Sequence, residues 1–202
     1  MNATDGISIC FTSNRGFFIL FHMEGFSKNE WETFLGGLAA NLRNPARLCV
    51  IGSFPCIMAG QSRRGSIDLD TLRKASSFSV ADMKQACEKS GIEFDPSGFL
   101  ESGRPYIQLI DEGIVQTGDF HTTSIVFKDG NLQIERPPIE NLIASKLIRS
   151  SEKDLEDIAF LIKHFQPDCA LVGKIVRSFP KPQFDSASEN LVYLKMLGKD
   201  VK

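Results

Sequence analysis

The chain has 202 residues, a formal net charge of −2 and an apolar share of 42%, which allows one domain with a real core, or one domain plus a small helical appendage. That balance excludes a disordered polyelectrolyte and a protein drawn to nucleic acid by a global positive field; any such contact needs a local basic patch, for which Arg63, Arg64, Arg73 and Lys74 are the candidates. Five cysteines, with no Cys-x-x-Cys pair, argue against a zinc ribbon or a disulfide framework and read as buried apolar residues in a reducing cytosol.

In chain order, residues 1–24 come first. The run Phe17-Phe18-Ile19-Leu20-Phe21 is too short to span a bilayer, and it lacks the basic start and small-residue cleavage site of a signal peptide. The protein is therefore expected in the cytoplasm, with no membrane contact. This extension either forms an edge strand or precedes a natural start at Met23.

Ser27 with Glu30 reads as a capping box, and Trp31, Phe34, Leu35 and Leu38 give a helix from Glu30 to Leu42 one apolar face. Asn44-Pro45 stops it. Arg47-Leu48-Cys49-Val50-Ile51 then reads as a buried strand, Leu48 to Ile51, that runs into a Gly52-Ser53 turn. Phe54 to Gly60 is expected to be a short helix N-capped by Ser53, with its backbone N–H groups favouring a phosphate.

The next strand alternates over Arg64-Gly65-Ser66-Ile67-Asp68-Leu69-Asp70. Ile67 and Leu69 face one way and Ser66, Asp68 and Asp70 the other, so two carboxylates stand on one face with Cα atoms roughly 6.5 Å apart. Like charges that close resist desolvation unless a cation sits between them, and Mg²⁺ is a hard, oxygen-seeking cation suited to the role.

A helix from Val80 to Lys89 follows, capped by Ser79, stopped by Gly91 and burying Val80, Met83, Ala86 and Cys87. Strands are expected at Tyr106–Ile110, Ser124–Phe127 and Leu132–Ile134, the last two joined by the turn Lys128-Asp129-Gly130-Asn131. Arg136-Pro137-Pro138 ends the strand pattern. Four helices are then expected at Ile139–Ile148, Glu152–Phe165, Asp168–Phe179 and Ser186–Leu197. The fold class is thus α/β (α+β), with a mixed sheet and packed helices over 25–138 and a helical subdomain over 139–202. The histidines His22, His121 and His164 carry no ligand spacing.

Gly52-Ser53 with Asp68-Leu69-Asp70 resembles the signature of the DNA polymerase β-like nucleotidyltransferase superfamily. Asn141-Leu142-Ile143-Ala144-Ser145-Lys146-Leu147 and Lys153-Asp154-Leu155-Glu156-Asp157-Ile158 resemble the minimal bacterial branch that includes AbiEii-type toxins of toxin–antitoxin systems. The resemblance covers about residues 29–165. It implies a metal-dependent transfer of a nucleoside monophosphate from an NTP to a hydroxyl on RNA, protein or a small molecule, with an antitoxin protein as a partner in the toxin setting. A drug-modifying adenylyltransferase shares the same chemistry.

By position, the resemblance gives Gly52 and Ser53, flanked by Arg64 and Ser66, to the triphosphate. It gives Asp68 and Asp70 to one or two Mg²⁺ ions, and Lys146 and Asp157 to the active site. Each residue also has a plainer role: Ser53 as an N-cap, Lys146 as a snorkelling surface lysine, Asp154 as a capping-box partner of Ser151, and Asp157 as an ion-pair partner that ties two helices. Superfamily members usually carry a third carboxylate on a neighbouring strand. Glu135, Asp111 and Asp119 are the alternatives for it, and a chain that supplies none is expected to bind nucleotide without efficient transfer, as an interaction module.

Overall fold

The computed structural model describes residues 25–62, 65–97 and 103–197. Helix α1 (Lys28–Asn41) begins at the expected capping box, where the Ser27 backbone N–H donates to Glu30 Oε2 at 2.8 Å. Its exit is held by Asp82, whose carboxylate accepts the Asn44 backbone N–H at 2.9 Å. Strand β1 (Ala46–Cys49) follows, two residues shorter at its far end than the apolar run suggested. Val50 and Ile51 still act as strand backbone, because Val50 N–H donates to the Glu135 carbonyl at 2.7 Å and Ile51 N–H to the Asp70 carbonyl at 2.9 Å.

β1 lies parallel to β6 (Leu132–Arg136), and β6 pairs antiparallel with β5 (Ser124–Asp129) across the expected hairpin turn. A second set pairs β2 (Asp68–Leu72) parallel with β4 (Tyr106–Ile110), and β4 parallel with the two-residue β3 (Glu93–Phe94), a strand not expected from the residue pattern. An antiparallel bridge between Val50 and Thr71 joins the sets, so the strands run β5-β6-β1-β2-β4-β3. Helices α1 and α3 (Val80–Ser90) bury Trp31, Leu35, Leu38, Met83, Ala86 and Cys87 against Leu48, Val50, Leu69 and Ile107 of the strands. Val80, at the first turn of α3, is 55% exposed rather than inward-facing as its spacing suggested.

The chain after Pro138 is helical: α4 (Ile139–Arg149), α5 (Glu152–Phe165), α6 (Cys169–Arg177), and then α7 (Gln183–Asn190) and α8 (Val192–Leu197), which break at Leu191 where one helix was expected. These helices enclose a second core of Leu142, Leu147, Ile158, Leu161, Val172 and Val176. Ile51 and Cys56, the latter from the five-residue α2 (Phe54–Met58), belong to that second core, whereas Val50 and Phe54 belong to the first. The Gly52-Ser53 turn therefore sits where the two cores meet.

Cys49, Cys56 and Cys87 are buried thiols, as expected, but Cys169 is exposed at the start of α6. Among the described residues no helix is long and apolar enough to cross a membrane.

Candidate functional site

β2 presents its two acids as the alternation predicts. Leu69 and Thr71 are fully buried on one face, and Asp68 and Asp70 stand half-buried on the other. The start of this strand is pinned from outside it. The Trp31 indole Nε1 donates to the Ser66 carbonyl at 3.0 Å, and Ser66 bridges to Phe26, while the Ser66 hydroxyl donates to Asp68 Oδ1. Ser66 thus orients one of the two carboxylates.

Asp70 faces the turn. Gly52 adopts φ +70°, a left-handed conformation that glycine takes without cost, and a Cβ built on it would lie 2.7 Å from Asp70 Oδ2. The dihedral favours glycine here, and a side chain would push the Asp70 carboxylate aside. Burial, followed by the adjacent Asp68 charge, pushes the Asp70 carboxyl up to about 6, with Lys146 and Arg149 pulling the other way. The site thus stores the electrostatic conflict expected of two carboxylates held together.

Ser53 precedes α2, but its side chain makes no cap bond; its hydroxyl donates to Asp157 Oδ2 at 2.7 Å. The phosphate seat expected at this helix start is weakened for two reasons. α2 has only five residues, and Pro55 in its first turn has no N–H to give. Asp157 Oδ2 also accepts from Lys146 Nζ at 2.7 Å, so Ser53, Asp157 and Lys146 form one chain linking the turn, α5 and α4. Asp157 is fully buried and the Lys146 side chain only 6% exposed, so the plainer reading of Lys146 as a snorkelling surface lysine is overturned. A buried pair of this kind costs much to break.

Asp154 caps Ser151 as expected and in addition takes a bidentate bond from Arg149, at 2.7 and 2.9 Å. Burial alone would raise its pKa; the bonds from Arg149 and Ser151, with the Lys146 charge, hold it below the usual carboxylate range. Arg149 escaped the sequence reading. Its position three residues after Lys146, on the same face of α4, was the signal available.

A cleft of about 250 Å³ lies between the sheet and the helical half. Gly52 and Asp70 form one side, Ser145, Lys146 and Arg149 of α4 another, and loop residues 114–116 a third. Asp68 stands beside Asp70 on the strand face, whereas Ser53 and Asp157 stand behind Lys146 as its support. Arg64, expected near the triphosphate, and Arg63 lie outside the described residues. Arg73 and Lys74 are exposed, and each is paired with acids of the loop after β4, Asp111 and Glu112.

The strands flanking β2 are β1 and β4, not β6, and β4 carries no acid opposite the pair: Tyr106 is in register with Asp68 and Gln108 with Asp70. Parallel register puts these side chains on the same face as the carboxylates. Burial, then the charges of Asp68 and Asp70, raises the Tyr106 phenol above its ordinary range. Gln108 Nε2 donates to Asp95 Oδ1 at 3.0 Å.

None of the three acids weighed from the sequence lies on β4. Glu135 is on β6 beside β1; partial burial works to raise its pKa, but bonds from Thr123 and Gln133 and the nearby Arg47 bring it below the usual range. Asp111 is tied to Arg73 at 2.6 Å, and Asp119 is exposed in the loop before β5, where its backbone carbonyl accepts from Asn141. No family model matches the chain, and no curated protein or solved structure is significantly similar to it.

Among the described residues no group of three or more histidine, cysteine or acidic side chains is arranged to hold a metal. A pair of carboxylates fits a different mode. Mg²⁺ is commonly held by one or two protein carboxylates and completed by water and substrate phosphates rather than by an all-protein cage. Burial and Asp68 together outweigh the pull of Lys146 and Arg149 on Asp70, so a further cation bound at the pair would favour its ionised form.

Proposed function

We propose that this protein is a Mg²⁺-dependent nucleotidyltransferase of minimal type, moving a nucleoside monophosphate from an NTP to a hydroxyl acceptor. The observation that carries the reading is the convergence on one cleft of the left-handed Gly52 turn, Asp70 with Asp68 beside it, and the cations Lys146 and Arg149. Asp68 and Asp70 would hold the metal, which supplies neutralisation of polyphosphate charge when bound.

The remaining work falls to the chain itself. Gly52, having no side chain, lets the Asp70 carboxylate stand against the turn. Lys146 and Arg149 set positive charge at the cleft wall, each held in place by buried Asp157 or Asp154. Phosphoryl transfer asks for positioning and charge compensation more than for covalent help, so a site this spare suffices in principle. RNA, a protein or a small molecule would serve as acceptor, and the toxin of a toxin–antitoxin pair is one setting for such an activity.

The test is incubation with labelled NTPs, Mg²⁺ and a cell extract. Wild type labels an acceptor and the Asp68→Ala, Asp70→Ala double variant does not; equal labelling by both, or none by wild type, sinks the proposal.

One observation favours a second reading. Tyr106 and Gln108 occupy the face of β4 where a third acid would assist acceptor activation, which favours a nucleotide-binding or interaction module with weak turnover. Calorimetry separates the two: tight Mg²⁺-dependent NTP binding without turnover supports the module.

A further inference from the structure

The cleft has apolar as well as charged lining. Val115 reaches it from the loop after β4 and Ile148 from α4, so apolar surface arrives from two separate elements. Ile114, also on the wall, is 72% exposed, a large apolar side chain left facing solvent at the rim. Gln116 from the same loop and Gln183, the first residue of α7, also line the cleft.

Both glutamines are half-buried, and neither carboxamide makes a hydrogen bond to another described residue. Two carboxamides with no partner among the described residues share the cleft lining with Val115, Ile148 and Ile114, a set that matches a flat, hydrogen-bonding ligand. The whole cleft, at about 250 Å³, is of small-molecule size.

We infer that these lining residues form the base pocket, in which Val115, Ile148 and Ile114 cover the faces of the nucleobase and Gln116 and Gln183 read its edge. The inference rests on the nucleotidyltransferase reading and adds that NTP choice is set by the loop after β4 and by α7, not by the carboxylate pair. A carboxamide offers a donor and an acceptor side by side, the arrangement that pairs with a base edge in two places at once.

The experiment is calorimetric titration of the full chain with ATP, GTP, CTP and UTP in Mg²⁺, alongside inorganic tripolyphosphate as a ligand with no base. Wild type is expected to bind its preferred NTP about tenfold more tightly than the least preferred. In the Gln116→Ala, Gln183→Ala variant that spread should fall to about twofold, with tripolyphosphate binding unchanged. Val115→Trp, which fills this pocket, should weaken all four NTPs and leave tripolyphosphate as it was. If the double variant keeps the full spread, or wild type binds all four NTPs alike, the base pocket is refuted while the enzymatic reading stands. Should wild type bind neither NTP nor tripolyphosphate, both readings fall together.

Discussion

Replacing Asp70 by Asn should make the metal-free protein more stable and abolish its response to Mg²⁺. The carboxyl is pushed from an ordinary 3.8 to about 6 by burial and by Asp68. At about 1.4 kcal/mol per unit, the folded state gives up on the order of 3 kcal/mol to keep Asp70 ionised at neutral pH. Asn keeps the shape but must also be desolvated, so a net gain of about 1–2 kcal/mol is expected.

The sign follows from proton binding. Because the folded pKa is raised, the native state holds more protons than the unfolded chain between about pH 4 and pH 6, so wild type loses stability across that window as pH rises. Urea unfolding of wild type and Asp70→Asn at pH 4 and pH 7.5 measures the effect: the two should nearly coincide at pH 4, and the variant should be the more stable at pH 7.5. Millimolar Mg²⁺ should raise the stability of wild type and leave the variant unmoved. A variant less stable than wild type at pH 7.5 would refute the claim that these carboxylates oppose each other in the folded protein.

Lys146→Met should cost about 3–5 kcal/mol in urea unfolding because it strands Asp157 in the interior, and adding Asp157→Leu should recover most of that loss. Gly52→Ala should cost more than about 1 kcal/mol, from the left-handed φ and the contact with Asp70 together, and should weaken Mg²⁺ binding in the same titration. Gln108→Asp, which places a third acid in register with Asp70, should tighten Mg²⁺ binding and raise transfer above wild type; an unchanged rate would mean that β4 does not face the chemistry.

Much of this molecule was legible from the chain alone because the signals were local. The Ser27–Glu30 and Ser151–Asp154 capping boxes, the Gly91 stop, the 128–131 hairpin turn and the limits of α5 follow from residues at most a few positions apart. The alternation that sets Asp68 and Asp70 on one face is of the same kind, since a strand's period of two is fixed by its own backbone. The pairing of Lys146 with Asp157 was within reach too, because two helices joined by a short turn bring such positions together.

What the sequence left open concerned neighbours distant in the chain. The strand order of the folded sheet put β1 between β6 and β2, which left Glu135 two strands from the carboxylate pair and put Tyr106 and Gln108 beside it instead. Ser53 could not be separated from a helix cap until α5 delivered Asp157 to its hydroxyl across 104 positions. The cleft itself has no sequence signature: it exists because the two cores meet at Ile51 and Gly52 and leave a gap that neither fills. Strand periodicity and caps are written in the order of residues, whereas burial, charge proximity and cavities arise only when separate segments exclude water from one another.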